Sequence, residues 1–203
     1  MGLKTGCRAV GLRCGGRGPI AYAVRERSVR PVLAEPEAGA CRAAKRLFGY
    51  PVMRADAAAL PLADASCDAA WTLGVLCTTP DQSGLLGEPR RVVRPGGPIG
   101  LLAFVIHRDI PCDELPENHF PTPDRLRELV HNSSLHVEHR LGTADLPGVS
   151  AGWDERMDAV TGALAVRYGD TRAWQLAEEQ SSKIGELLEN GTLTGELLVL
   201  RHA

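Results

Sequence analysis

Short apolar runs alternate with stretches of helical length along this chain, and few architectures accept that pattern. The runs fall at Ala9–Leu12, Val32–Ala34, Val52–Arg54, Cys67–Leu73, Ile99–Ile106, Leu135–His139 and Leu197–Leu200, most of them beside Gly, Pro, Asp or Ser. Between the early ones lie Ile20–Arg27, Glu37–Phe48 and Ser83–Val93, each with helical composition. Strand, helix, strand in repetition predicts an α/β fold, with a doubly wound, mainly parallel sheet covered by helices on both faces.

The later part of the chain changes period. Trp153, Met157, Val160, Leu164 and Tyr168 recur at spacings of three and four, and Ala173, Ala177, Ile184 and Leu188 do so less regularly. Two helices are predicted, Trp153–Tyr168 and Thr171–Glu189, with Asp170 or Thr171 capping the second and Gly191 ending it. They form a helical insertion over residues 151–190, ahead of a last strand at Gly195–Arg201, within a single domain spanning 1–203. The apolar faces around Trp153 and Trp174 read first as core, with substrate wall and dimer contact as the alternatives. Residues 107–121 hold three prolines among polar residues and read as a loop, after which Thr122 caps a helix to Val130 with Pro123 in its first position.

Charge and cysteine usage exclude several function classes. Lys and Arg number 23 against 25 Asp and Glu, which gives no basic face on which to predict nucleic-acid binding. No apolar run has the length of a membrane helix, and the N-terminus lacks a secretory pattern, so a cytoplasmic protein without a membrane partner is expected. The six cysteines show no C-x-x-C spacing and read as reduced, mostly core residues; no metal site is expected. His107, Asp109, Asp113 and His119 fit no short metal motif.

Two segments carry chemistry. A Gly-rich turn follows the first strand, at Cys14, Gly15, Gly16 and Gly18; such a turn lets backbone approach a ligand, and the helix after it offers free N–H groups to a carboxylate. Glu35, at the end of the second strand, can accept hydrogen bonds from two ribose hydroxyls. Each has a plainer reading, the turn as strand–helix packing and Glu35 as a solvated charge at a strand end. In Arg94-Pro-Gly-Gly the structural reading leads: it ends a helix and starts the next strand.

The segment Arg54-Ala-Asp-Ala-Ala-Ala-Leu-Pro-Leu-Ala-Asp-Ala-Ser-Cys-Asp-Ala-Ala-Trp-Thr-Leu-Gly-Val-Leu, continuing to Glu88-Pro-Arg-Arg-Val-Val-Arg-Pro-Gly-Gly, resembles the class I SAM-dependent methyltransferase family, of the small Rossmann-like, methyltransferase type 11-like kind. Upstream, Leu3-Lys-Thr-Gly-Cys-Arg-Ala-Val-Gly-Leu-Arg-Cys-Gly-Gly-Arg-Gly-Pro lies where that family has its first strand and Gly-rich turn. The resemblance implies a transferase using S-adenosylmethionine, with S-adenosylhomocysteine as product and a small molecule as acceptor. It places Asp56 and Ala57 at the adenine, and Leu73 and Gly74 at the methionine and sulfonium end. Asp56 taken alone reads as a turn or cap residue.

The sequence departs from the family pattern in three places. The first motif, acidic-x-Gly-x-Gly-x-Gly in the family, is degenerate here: Gly11, Arg13, Gly15 and Arg17 stand at the matched positions. Arg13 or Arg17 can pair with a cofactor carboxylate, or the site is decayed or repurposed. Few residues precede the first strand, so an open pocket is one outcome; closure by the inserted helices and the 107–121 loop, with a second subunit making a homodimer, is the other. Cys77 stands where many relatives have histidine, and the candidates for a general base are then His107 and His119, against a plainer role as loop-anchoring histidines. The alternative to methyl transfer is a non-catalytic or repurposed protein of this fold, binding another ligand or a protein partner.

Overall fold

A computed structural model describes residues 2–13, 19–111, 115, 117–146, 148 and 152–203 of the chain. Seven strands form one sheet: β1 (Arg8–Leu12), β2 (Arg30–Glu35), β3 (Val52–Arg54), β4 (Ala69–Leu73), β5 (Ile99–Ile106), β6 (Leu135–Gly142) and β7 (Leu193–His202). Their order across the sheet is β3-β2-β1-β4-β5-β7-β6. The first five pair in parallel, and β7 runs antiparallel between β5 and β6. The helices are α1 (Pro19–Arg27), α2 (Ala38–Phe48), α3 (Gln82–Val92), α4 (Pro123–Asn132), α5 (Trp153–Tyr168) and α6 (Arg172–Glu189). None among the described residues is long and apolar enough to cross a membrane.

The two faces of the sheet are covered by different helices, as a doubly wound sheet requires. On one face Val10, Leu12, Ala70, Ile99, Leu101, Ala103 and Leu198 pack against Leu85, Leu86 and Val92 of α3 and Leu126, Leu129 and Val130 of α4. On the other, Ala9, Leu33, Ala69 and Trp71 meet Val29 and Ala44. A smaller apolar group, with Leu187 of α6 and Leu193 of β7, packs against Phe104 and Ile106 of β5.

The expected elements are present, several with shifted ends: β2 runs Arg30–Glu35 rather than Val32–Ala34, β7 Leu193–His202 rather than Gly195–Arg201, and α4 ends at Asn132 rather than Val130. β4 starts at Ala69 rather than Cys67, because Cys67 and Asp68 turn aside: Cys67 bridges to Val93, and Asp68 N–H donates to the Arg8 carbonyl at 2.7 Å. The Asp68 carboxylate in turn accepts from Arg8 N–H at 2.7 Å and from Arg94 Nε at 2.7 Å, which together hold its pKa below the usual carboxylate range. β6 runs on to Gly142, because its pairing with β7 resumes after an irregularity between Val137 and His139. Arg94–Gly97 has the structural role predicted for it: a Cβ on Gly97 would lie 2.5 Å from the Asp68 carbonyl oxygen, so only glycine lets the turn close on β4. Thr122 and Thr171 cap α4 and α6 through their side-chain oxygens, Thr171 being chosen over Asp170.

The expectation of a core role for the α5 stripe is overturned. α5 has no buried residue, and Trp153, Met157, Val160, Leu164 and Tyr168 are all exposed; Trp174 of α6 is half-buried. The periodicity is real, but the sheet's faces are already filled by α2, α3 and α4, and no described element lies over this helix to bury it.

The loop from β3 to β4, which carries Asp56, is tied to α3 by one arginine. Arg91 donates to the carbonyls of Leu60 and Leu62 and to Asp64 and Glu88, and Glu88 also accepts from Leu60 N–H at 2.6 Å. Those bonds, Arg91's first, hold the Glu88 pKa below the ordinary carboxylate value. A depressed folded-state pKa stabilises the fold above the unfolded-state value and ceases to do so as pH falls through the folded-state value. Replacing Arg91 by Met therefore lowers unfolding stability by about 2 kcal/mol at neutral pH in urea melts, and the gap between wild type and variant narrows below about pH 4.

Candidate functional site

The parallel strands bring their carboxyl ends to one edge of the sheet, and β1 is where the winding reverses. Connections from β1 lead to β2 and β3 on one side, and β4 and β5 lie on the other. In open α/β sheets ligands bind at such a reversal point. Register places the candidates there: Leu12 pairs with Ala34 and with Thr72, Glu35 with Arg54, and Leu73 with Leu102. The residues following Leu12, Ala34 and Thr72 are Arg13, Glu35 and Leu73, so these three stand side by side at the mouth of the cleft.

Glu35 is 6% exposed, and its Oε1 accepts from Glu37 N–H at 3.2 Å. A carboxylate enclosed to that degree at a strand end is not the solvated surface charge of the plainer reading. Gly74 takes the left-handed region at φ 70°, and its N–H donates to the Leu102 carbonyl at 2.9 Å. Its turn leads β4 into a short 3-10 segment, Leu76–Thr78, and half-buried Leu73 packs with the apolar group on the α2 face. Ala57 is buried in the main core. Asp56 is exposed, and its Oδ1 accepts from Ala58 N–H at 2.9 Å. That is an Asx turn, so one oxygen of Asp56 shapes its own loop. Cys14, Gly15, Gly16 and Gly18, with Arg17, lie outside the described residues.

Arg13 stands at one of the degenerate positions of the first motif. It has φ 46°, its N–H donates to the Ala34 carbonyl at 2.7 Å, and its Nη1 donates to Thr78 Oγ1 at 3.0 Å. Its guanidinium is thus held toward β4, on the methionine side expected of the cleft, rather than toward Glu35. Thr78, which sequence reasoning passed over, anchors it; a lone hydroxyl after an apolar strand gives little signal in advance.

The structure separates the two histidines. His119 N–H donates to the Cys77 carbonyl at 2.7 Å, and Gln82 Nε2 donates to the carbonyls of His119 at 2.6 Å and Leu76 at 3.2 Å. Buried Gln82 thereby fixes the His119 backbone beside Cys77, just beyond the end of β4, and the His119 side chain is exposed. His107 belongs to another pocket, bonded to Thr194 across the sheet at 2.8 Å.

Residues 12–101 match the family described as "Methyltransferase domain". Among solved structures, the [4+2]-cyclase SpnF is 18% identical with a TM-score of 0.75, covering 98% of this chain and 76% of that one. A sarcosine dimethylglycine methyltransferase from Galdieria sulphuraria, so described with reservation, is 16% identical with a TM-score of 0.72, over 98% of this chain and 80% of that one. The cyclopropane synthase MmaA2 from Mycobacterium tuberculosis is 13% identical with a TM-score of 0.76, over 99% and 80%. The chain has the class I SAM-dependent methyltransferase fold, as its sequence predicts. Within it, the stretch similar to the methyltransferase-domain family runs from the end of β1 into β5.

Proposed function

We propose that this chain transfers a methyl group from S-adenosylmethionine to a small-molecule acceptor. The observation that carries the reading is the enclosed Glu35 carboxylate at the switch-point edge, in register with Arg13 and Leu73. The polar groups suit the cofactor: an enclosed carboxylate for ribose hydroxyls and a guanidinium for the methionine carboxylate. Bound there, S-adenosylmethionine supplies an electrophilic sulfonium methyl. Glu35 would orient the nucleoside, Arg13 and Thr78 would hold the amino-acid end, and Gly74 would leave room beside the methyl. In-line positioning supplies much of the acceleration for such a transfer. Where the acceptor must lose a proton, His119 is better placed than His107, since Gln82 pins it beside β4. The cytoplasmic setting and the small-molecule rather than nucleic-acid acceptor belong to the same proposal, on the near balance of charge.

One observation favours a second reading, a repurposed fold. Arg13 occupies a left-handed backbone position that glycine favours, with its side chain on Thr78. A fold neighbour is named as a [4+2]-cyclase, so this architecture does not by itself impose methyl transfer.

The exposed stripe of α5 supports the homodimer. Met157, Val160 and Leu164 are 46, 56 and 41% exposed, and the helix is acidic at its start and basic at its end. An antiparallel second copy would set Trp153 against Tyr168, Met157 against Leu164 and Asp154 against Arg167, with the helix dipoles opposed.

Calorimetry tests the function. Under the methyl-transfer reading the wild type binds S-adenosylhomocysteine, and Glu35→Gln weakens it at least tenfold, the loss of about 1.4 kcal/mol expected from charge-assisted hydrogen bonds to ribose. Absence of heat with both S-adenosylmethionine and S-adenosylhomocysteine contradicts it; binding recovered in Arg13→Gly then points to the repurposed site. Sedimentation tests the dimer: the wild type should sediment as a dimer at tens of micromolar and Val160→Glu as a monomer, whereas a monomeric wild type ends that proposal.

A further inference from the structure

A second pocket, of about 510 Å³, lies on the same edge of the sheet where the end of β5 meets the start of β7 and the end of β6. Strand pairing decides which side chains reach it. Ala103 pairs with Glu196 and Val105 with Thr194, and alternate residues of a strand share a face. Thr194, Glu196 and His107, two residues beyond Val105, therefore emerge together. The contacts agree: His107 Nε2 lies 2.8 Å from Thr194 Oγ1, and Arg140 Nη2 donates to Glu196 Oε1 at 2.5 Å. Thr143 lies on the opposite face of β7, where a side chain at Gly195 would stand, since a Cβ there would be 2.5 Å from Thr143 Oγ1. Leu188, Leu193 and Ala144 supply apolar surface.

Glu196 is the unusual member. It is an isolated charge in the apolar run Leu197–Leu200 and its approach, with a side chain only 9% exposed. One oxygen is paired with Arg140; Oε2 is enclosed and has no hydrogen-bond partner among the described residues. A buried carboxylate oxygen without a donor is costly, and a strand position that needed only packing would be served better by an aliphatic residue. Glu196 lines the pocket, and its last torsion is soft, so the carboxylate can adjust to a donor that enters.

The charge pattern selects the ligand. Arg140 already neutralises Glu196, so a cation entering the pocket meets the guanidinium and an anion meets the carboxylate. What remains beside Thr194 is a carboxylate acceptor, guanidinium donors, one threonine hydroxyl and an imidazole, a mixture suited to hydroxyl groups, which both donate and accept. We infer that this pocket binds a neutral hydroxylated small molecule, seating a vicinal diol on Glu196 and Thr194 and an apolar ring face on Leu188 and Ala144. β7 lies two strands from β4, or about 10 Å, so a ligand anchored at Glu196 can extend toward Gly74 as the methyl acceptor. That last step rests on the methyl-transfer reading; diol binding does not.

The test uses three six-membered rings that differ only in their polar groups: trans-1,2-cyclohexanediol, cyclohexylammonium and cyclohexanecarboxylate, titrated at millimolar concentration into ¹⁵N-labelled full chain without any S-adenosyl compound. The diol should give saturating shifts at the amides of Gly142, Thr194 and Glu196, with no comparable response to either charged ring. Thr194→Val and Glu196→Gln should each weaken diol binding at least fivefold; Thr194 is partly exposed, so its variant carries the test if Glu196→Gln does not fold. Silence with the diol, an equal or stronger response to a charged ring, or diol binding unchanged in Thr194→Val overturns the inference. Because no methyl donor is present, a negative result here leaves the methyl-transfer reading standing, and the reverse holds as well.

Discussion

β1 is hydrogen-bonded in parallel on both flanks, to β2 and to β4, and the rest of the molecule is arranged around that double pairing. Each flanking strand returns through connections that cross opposite faces of the sheet, so the chain must part where β1 ends. The parting leaves a cleft at the carboxyl edge, and whatever follows Leu12, Ala34 and Thr72 in sequence is delivered to it. Arg13, Glu35 and Leu73 are neighbours because of strand pairing, although they are distant in sequence. Side-chain chemistry at the cleft is a consequence of backbone register.

The surroundings of the cleft are held by polar contacts that also act on backbone. Arg91 and Glu88 on α3 hold the loop bearing Asp56 by its carbonyls and N–H groups, Gln82 holds the His119 segment by its carbonyl, and Thr78 holds Arg13. Each uses α3 or post-β4 side chains to fix loop backbone beside the apolar anchors the loops already have, Ala57 and Leu60 in one and Leu115 and Phe120 in the other. The bonds made by Arg91, Glu88 and Arg13 are charge-assisted and stronger than a neutral hydrogen bond such as that of Gln82.

Strand and helix periodicity was readable in the sequence because most of these elements are half-buried in a fixed pattern, and turns at Gly97 and Thr122 announced themselves by residue type. β3 is the shortest strand, three residues at the sheet edge, and gave the least pattern to read. The α5 stripe misled, since an apolar spacing reports that a helix can bury one face and not what would cover it. The positions of Glu35 at the end of β2 and Gly74 just after β4 were legible from the runs before them. The anchoring of Arg13 on Thr78, the separation of His107 from His119, and the pairing of Arg140 with Glu196 were not, because each joins residues far apart in sequence through a register known only once the strands are aligned.

The central claim is that the edge shared by Arg13, Glu35 and Gly74 is shaped for a nucleoside bearing an amino-acid tail. A crystal structure of the chain grown with S-adenosylhomocysteine measures this directly. The account predicts ribose hydroxyls on the Glu35 carboxylate, the purine beside Ala57 and the ligand's carboxylate on the Arg13 guanidinium; a ligand-free cleft at saturating concentration, with Arg13 folded across toward Glu35, would contradict it.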